Sequence, residues 1–150
     1  GYTLSTTIVD EPFSYSNGRP VENWNHTYKG TVTVKQAIAQ SMNVCAVKTL
    51  TAITPQLGYD YLLNFGISTL VDNRVEKDGS VSSDIHQALA LGGITDGVTN
   101  LEMTAAYASI ANTGKYIRPV FYSQVIDSNG RVLLDNTAPK AKTILKDSTA

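Results

Sequence analysis

Thr33-Val34-Lys35-Gln36-Ala37-Ile38-Ala39-Gln40-Ser41-Met42-Asn43-Val44-Cys45-Ala46-Val47-Lys48 reads as helix from its first residue. The Thr33 hydroxyl can cap the opening turn while Gln36, three residues on, bonds back in a capping box. Val34, Ala37, Ile38, Ser41 and Cys45 fall on one stripe at helical spacing, and the apolar pattern runs on through Val44, Val47 and Leu50. Within it, Ser41-Met42-Asn43 poses a geometric question. Residues two apart on a straight helix do not face the same way. If both side chains serve one site, one helix must end near Ser41 and another begin near Asn43, where asparagine suits an N-cap. The alternative is an unbroken helix with Ser41 a tolerated small polar residue and Asn43 in solvent. The tripeptide alone decides nothing, since about one S-x-N is expected by chance in a chain of this composition.

Working outward, residues 1–31 are rich in Thr, Ser, Asn, Pro and Gly and read as an extended, turn-rich lead-in. The stretch 32–114 reads as the helical part. Thr54-Pro55 is a cap followed by proline at the first helical position, opening a helix that stops at Gly66. Residues 68–83 read as loop, and Ile85–Ala90 as a short helix ending at Gly92-Gly93. Thr99 and Glu102 form another capping box, and Ala105, Ala106, Ala108 and Ala111 give that helix a small-residue surface. Within 115–136 the period changes, with Val120–Ile126 and Arg131–Leu134 flanking Asp127-Ser128-Asn129-Gly130, a hairpin signal. Residues 137–150 read as a tail. A lone hairpin needs a helix or further strands to lie on, which suggests an incomplete domain, α+β and mainly helical.

Composition narrows the function classes. Apolar residues make up 42% of the 150, enough for a core. The net charge is −1 without a Lys/Arg block, so the chain has no electrostatic footprint for nucleic acid. No apolar run reaches the ~18 residues of a membrane span. Cys45, the single cysteine, lies among Val44, Ala46 and Val47 and reads as a small buried hydrophobe. Neither His26 nor His86 is followed by a second ligand three or four residues on, so no metal site and no cofactor is expected.

The segment Tyr28–Lys48 resembles the region around the S-x-N motif of bifunctional, class A penicillin-binding proteins. Leu89-Ala90-Leu91-Gly92-Gly93 with Gly97-Val98-Thr99-Asn100-Leu101-Glu102-Met103-Thr104-Ala105-Ala106-Tyr107-Ala108 is similar to that family's A-L-G … G-V-T-P-L-E-M helix, with Asn100 where proline is usual. Asn112-Thr113-Gly114-Lys115-Tyr116-Ile117-Arg118-Pro119 is a third match. The resemblance implies a piece of the serine β-lactamase/penicillin-binding transpeptidase fold with one C-terminal hairpin. It also implies a membrane-anchored parent on the extracytoplasmic face of a bacterial cell, with a glycosyltransferase domain elsewhere.

That parent would cross-link peptidoglycan stem peptides ending in D-Ala-D-Ala by serine acyl transfer and be acylated by β-lactams. Ser41 and Asn43 would be its catalytic assistants: Ser41 a proton relay beside the S-x-x-K lysine, Asn43 an amide holding the substrate's peptide carbonyl. No serine in this chain is followed by lysine at the fourth position, and no Lys-Thr-Gly occurs. The fragment alone is therefore expected to be inactive and open to self-association. The competing reading is a non-catalytic module, structural or binding muropeptides, on the same scaffold.

Overall fold

A computed structural model describes the whole chain, Gly1–Ala150, as four α-helices and five two-stranded antiparallel sheets. Two compact units emerge, Gly1–Asp60 with Leu70–Gly97 and Tyr61–Thr69 with Val98–Ala150. No helix is long and apolar enough to cross a membrane.

In the first unit the lead-in is partly built into sheets. Strand β1 (Thr7–Asp10) pairs with β4 (Gly30–Thr33), placing Asp10 opposite Gly30. Strands β2 (Phe13–Ser14) and β3 (Pro20–Val21) form a minimal hairpin whose turn needs the positive φ of Gly18, 81°. Strand β4 runs straight into α1 (Val34–Ala39), and the turn is fixed by the Thr33–Gln36 capping box read from the sequence. Helix α2 (Asn43–Ile53) follows, then the start of α3 (Pro55–Asn64), which belongs to this unit as far as Asp60 and whose first turn is capped by Thr54 Oγ1 accepting from Leu57 N at 3.3 Å.

Helix α2 lies at the centre of the core. Cys45 joins Val32, Ala37 and Met42, with Ile8 against them, while Val44 and Val47 join Val21, with Phe13, Tyr15 and Ala90 alongside. Burial pushes the Cys45 thiol up from its ordinary range, and the nearby Asp10 carboxylate adds to this against Lys48. The segment 68–83, expected as loop, carries a small hairpin of β5 (Arg74–Val75) and β6 (Val81–Ser82). Its anchor is Arg74, bidentate to Asp96 at 2.6 and 3.0 Å and bonded to Glu76 at 2.8 Å. The short helix expected at Ile85–Ala90 is a 3-10 turn, Gln87–Leu91, ending on Gly92. Ahead of it, Asp84 is wholly buried.

The second unit carries α4 (Asn100–Ala111), β7 (Lys115–Ile117), β8 (Gln124–Ile126), β9 (Val132–Asp135) and β10 (Ala141–Thr143). Strands β8 and β9 form the expected hairpin, its turn held by Asp127 Oδ1 accepting from Asn129 N and Arg131 N. The stretch expected as a tail contributes β10, which pairs with β7. Helix α4 buries Ala105, Ala106 and Ser109, whereas Ala108 and Ala111, expected on the same small-residue surface, face outward.

The Thr99–Glu102 capping box is present and does more than cap. Glu102 Oε1 also accepts from Ser68 N and Oγ at 2.9 and 2.6 Å. The Ser68 hydroxyl and amide, then the Thr99 hydroxyl, hold the Glu102 carboxyl down to about 2. A depressed carboxylate contributes stability above its unfolded pKa of about 4.3 and loses it as pH falls toward the folded value. The gap in unfolding free energy between the native chain and Glu102→Gln is therefore expected to narrow steadily from pH 6 to pH 2.5. A gap constant across that range would contradict the assignment.

Candidate active site around Ser41

The backbone breaks at the position the sequence singled out. Helix α1 ends with Gln40 as its cap, Ser41 turns left-handed at φ 52°, and α2 begins at Asn43. Ser41 N donates to Ile38 O at 3.1 Å and Met42 N to Ala37 O at 3.0 Å. These are the two bonds of a Schellman motif, and the Met42 side chain packs on Ala37 as its apolar contact. Helix α3 ends in the same motif, with Gly66 N donating to Leu63 O and Ile67 N to Leu62 O. There the left-handed residue is Gly66, at φ 87°. Serine stands where glycine is easier, at a cost of roughly 1 kcal/mol. Ser41→Gly is accordingly expected to raise stability by about 0.5–1 kcal/mol, readable as a higher urea midpoint; an unchanged or lower midpoint would remove the strain.

One detail differs from expectation. Asn43 is not the N-cap of α2 but its first helical residue; the cap is Met42, which has no side-chain acceptor to offer. The Asn43 amide instead donates through Nδ2 to Glu22 O at 2.9 Å. Capping comes from elsewhere in the chain: Asn23 Oδ1 accepts from Val44 N at 3.2 Å. Asn23 Nδ2 donates to Asp10 Oδ1 at 2.8 Å and to Thr27 O at 3.0 Å, and Asp10 Oδ2 takes Lys29 N at 2.9 Å. Asp10 and Asn23 are 1% and 4% exposed, so this is a buried polar hub. Sequence reasoning missed both residues, because nothing in their spacing links positions 10, 23 and 44.

Ser41 is exposed, and its hydroxyl makes no hydrogen bond within the chain. It lines a hollow of about 340 Å³ together with Asp10, Asn23, Trp24, Lys29 and Gln40. The Trp24 indole, 74% exposed, gives that hollow apolar surface alongside Ala39 and Met42, and Lys29 Nζ is tied to Gln40 Oε1. Asn43 shares the joint but not the lining, since its amide is held at the Glu22 carbonyl. Lys48, one helical stretch on, is bonded to Val9 O and Glu11 at 2.8 and 2.7 Å. The arrangement offers a free hydroxyl and an anchored carboxamide. Such groups can relay a proton or orient a substrate, but a nucleophile needs a neighbouring base to activate it.

The family profile described as the penicillin binding protein transpeptidase domain matches residues 2–150. Penicillin-binding protein 1A/1B of Bacillus subtilis is 33% identical over 95% of this chain and 14% of its own length. Among solved structures, penicillin-binding protein 1A from Haemophilus influenzae is 26% identical, with a TM-score of 0.71 over 93% of this chain and 19% of that one. The PonA1 protein from Mycobacterium tuberculosis in complex with penicillin V is 22% identical, a likeness of fold, with a TM-score of 0.80 over 99% of this chain and 39% of that one. The chain spans 14–20% of the length of the first three curated relatives it matches. With the α+β architecture and the broken helix at Ser41-Met42-Asn43 in place, the chain belongs to the penicillin-binding protein transpeptidase domain family, among relatives of the 1A/1B type.

Proposed function

We propose that this chain supplies the S-x-N part of a peptidoglycan D,D-transpeptidase, with Ser41 as proton relay and Asn43 as the orienting amide. The single observation that carries the reading is the joint between α1 and α2, which leaves the Ser41 hydroxyl unbonded at a hollow while keeping Asn43 in the adjoining turn.

In the complete domain the attacking serine and its lysine come from an S-x-x-K segment, which this chain does not contain. That serine adds to the D-Ala-D-Ala carbonyl, and its proton passes to the base. As the peptide C–N bond breaks, Ser41 receives a proton from the lysine side and hands one to the departing D-Ala amine, ending as it began. An amine on a neighbouring strand then takes the acyl group. Asn43, already donating one N–H to Glu22 O, keeps its oxygen and second N–H for the stem-peptide backbone and the lysine. Trp24 offers a flat apolar wall to the same substrate.

The parent would act at the extracytoplasmic face of the bacterial membrane with a glycosyltransferase domain in the same protein. The exposed Val125, Ile126, Val132, Leu133 and Leu134 of β8–β9 favour self-association of the isolated chain. Fluorescent penicillin tests the assignment on a denaturing gel. The isolated chain is expected to give no covalent band. A stoichiometric band lost in Ser41→Ala would make Ser41 a nucleophile and sink the relay role.

A further inference from the structure

We infer that Asn23 is a positioning residue for this centre, acting through the backbone joint that presents Ser41 and Asn43; the inference rests on the function proposed above. The argument starts from what α2 lacks. Its cap residue, Met42, spends its own N–H on the Schellman bond to Ala37 O and has an apolar side chain. The Val44 N–H behind it belongs to a residue with no solvent exposure, so it needs an acceptor from elsewhere. Asn23 Oδ1 is that acceptor.

The carboxamide's orientation is dictated by its surroundings. Both Nδ2 protons are spent, on Asp10 Oδ1 and Thr27 O, so the oxygen must face Val44 N. Neither leucine, which has no polar end, nor aspartate, which has no donor, can satisfy all three partners. The adjoining Glu22 carbonyl fixes the Asn43 side chain. One dipeptide, Glu22-Asn23, therefore holds both the first turn of α2 and the carboxamide of the motif. Asp10, fixed by Lys29 N, anchors that dipeptide to β1. Releasing Asn23 frees the first turn of α2, and with it the left-handed bend that aims the Ser41 hydroxyl.

The test uses acylation by a β-lactam, followed by stopped flow in the complete transpeptidase domain carrying this segment. Asn23→Ala is expected to lower the acylation rate constant about 100-fold, the usual size for a small misplacement of reacting groups, with the non-covalent dissociation constant little changed. In a Ser41→Ala background the same change should add less than about threefold, because the two act through one joint. Asn23→Ala acylating within threefold of the native domain, or an effect that multiplies in full with Ser41→Ala, would overturn the inference. Should Asn23→Ala fail to fold, the exchanged pair Asp10→Asn with Asn23→Asp keeps an acceptor on Val44 N and one N–H···O between positions 10 and 23. That pair should acylate within tenfold of native; a loss as large as that of Ser41→Ala overturns the inference. If Ser41→Ala alone acylates normally, the relay reading falls and Asn23 is judged on the 150-residue chain by NMR. There, left-handed Ser41 shifts and a protected Val44 amide surviving Asn23→Ala would overturn it, and their loss would uphold the joint.

Discussion

In the complete domain, Ser41→Ala is expected to slow acylation by a β-lactam roughly 10²- to 10⁴-fold, the range for losing one positioned acid–base group. Fold and stability should barely change. The Ser41 side chain makes no hydrogen bond within the chain and is exposed, so its loss strands no buried partner. Ser41→Gly sharpens the experiment. It removes the same hydroxyl while easing the backbone at φ 52°, so it should be slower than the native domain yet more stable. A merely structural serine would move rate and stability in the same direction. Acylation within threefold of native in Ser41→Ala would end the relay assignment.

The largest stability effect is expected at Asp84, about 4 kcal/mol lost in Asp84→Ala. The carboxylate is fully buried and accepts three bonds: Val71 N at 2.8 Å on one oxygen, Thr95 N at 2.8 Å and Thr95 Oγ1 at 2.5 Å on the other. Burial pushes its pKa up, but the Thr95 hydroxyl and the Val71 and Thr95 amides outweigh it and hold the group below its usual range. Alanine leaves all three donors without an acceptor. Asp84→Asn keeps the oxygen facing Thr95 but turns an NH₂ toward Val71 N–H, so about half the penalty should remain. Because the native carboxyl is depressed, its contribution is complete above about pH 4 and fades as acid protonates it. The cost of Asp84→Asn measured by urea unfolding should therefore be larger at pH 7 than at pH 3. A loss under about 1 kcal/mol in Asp84→Ala would show that the Asp84 carboxylate and its three donors are not a structural support.

What could be read from the residues was mostly local. Thr33–Gln36, Thr54-Pro55 and Thr99–Glu102 announce helix starts because each cap is satisfied within one turn, and all three are found. The Asp127–Gly130 turn was legible for the same reason. The break at Ser41 was legible only conditionally: two side chains two residues apart need a bend to share a centre. The local pattern fits an unbroken helix as well, so it was the family resemblance that favoured the bend found at φ 52°. Its details did not follow. Asn43 looks like an N-cap by residue type, yet Asn23, from a distant loop, does the capping, and no period in the sequence records a contact over 21 residues. Asp84 hid in the same way, at the end of a polar stretch that reads as loop, its partners 13 and 11 positions off. The β7–β10 pairing crosses an entire hairpin, and each strand is too short to show alternation.

The one sulfhydryl of the molecule sits at the seam between α1 and α2, packed with Met42, Ala37 and Val32. Burial keeps it protonated and out of reach while the seam is shut. An aromatic disulfide in the buffer can then react only during the brief intervals when the seam parts. With reagent in such excess that reaction outpaces reclosing, the rate of colour development would equal the average rate at which the seam opens, a clock for the joint beneath Ser41 that needs no label.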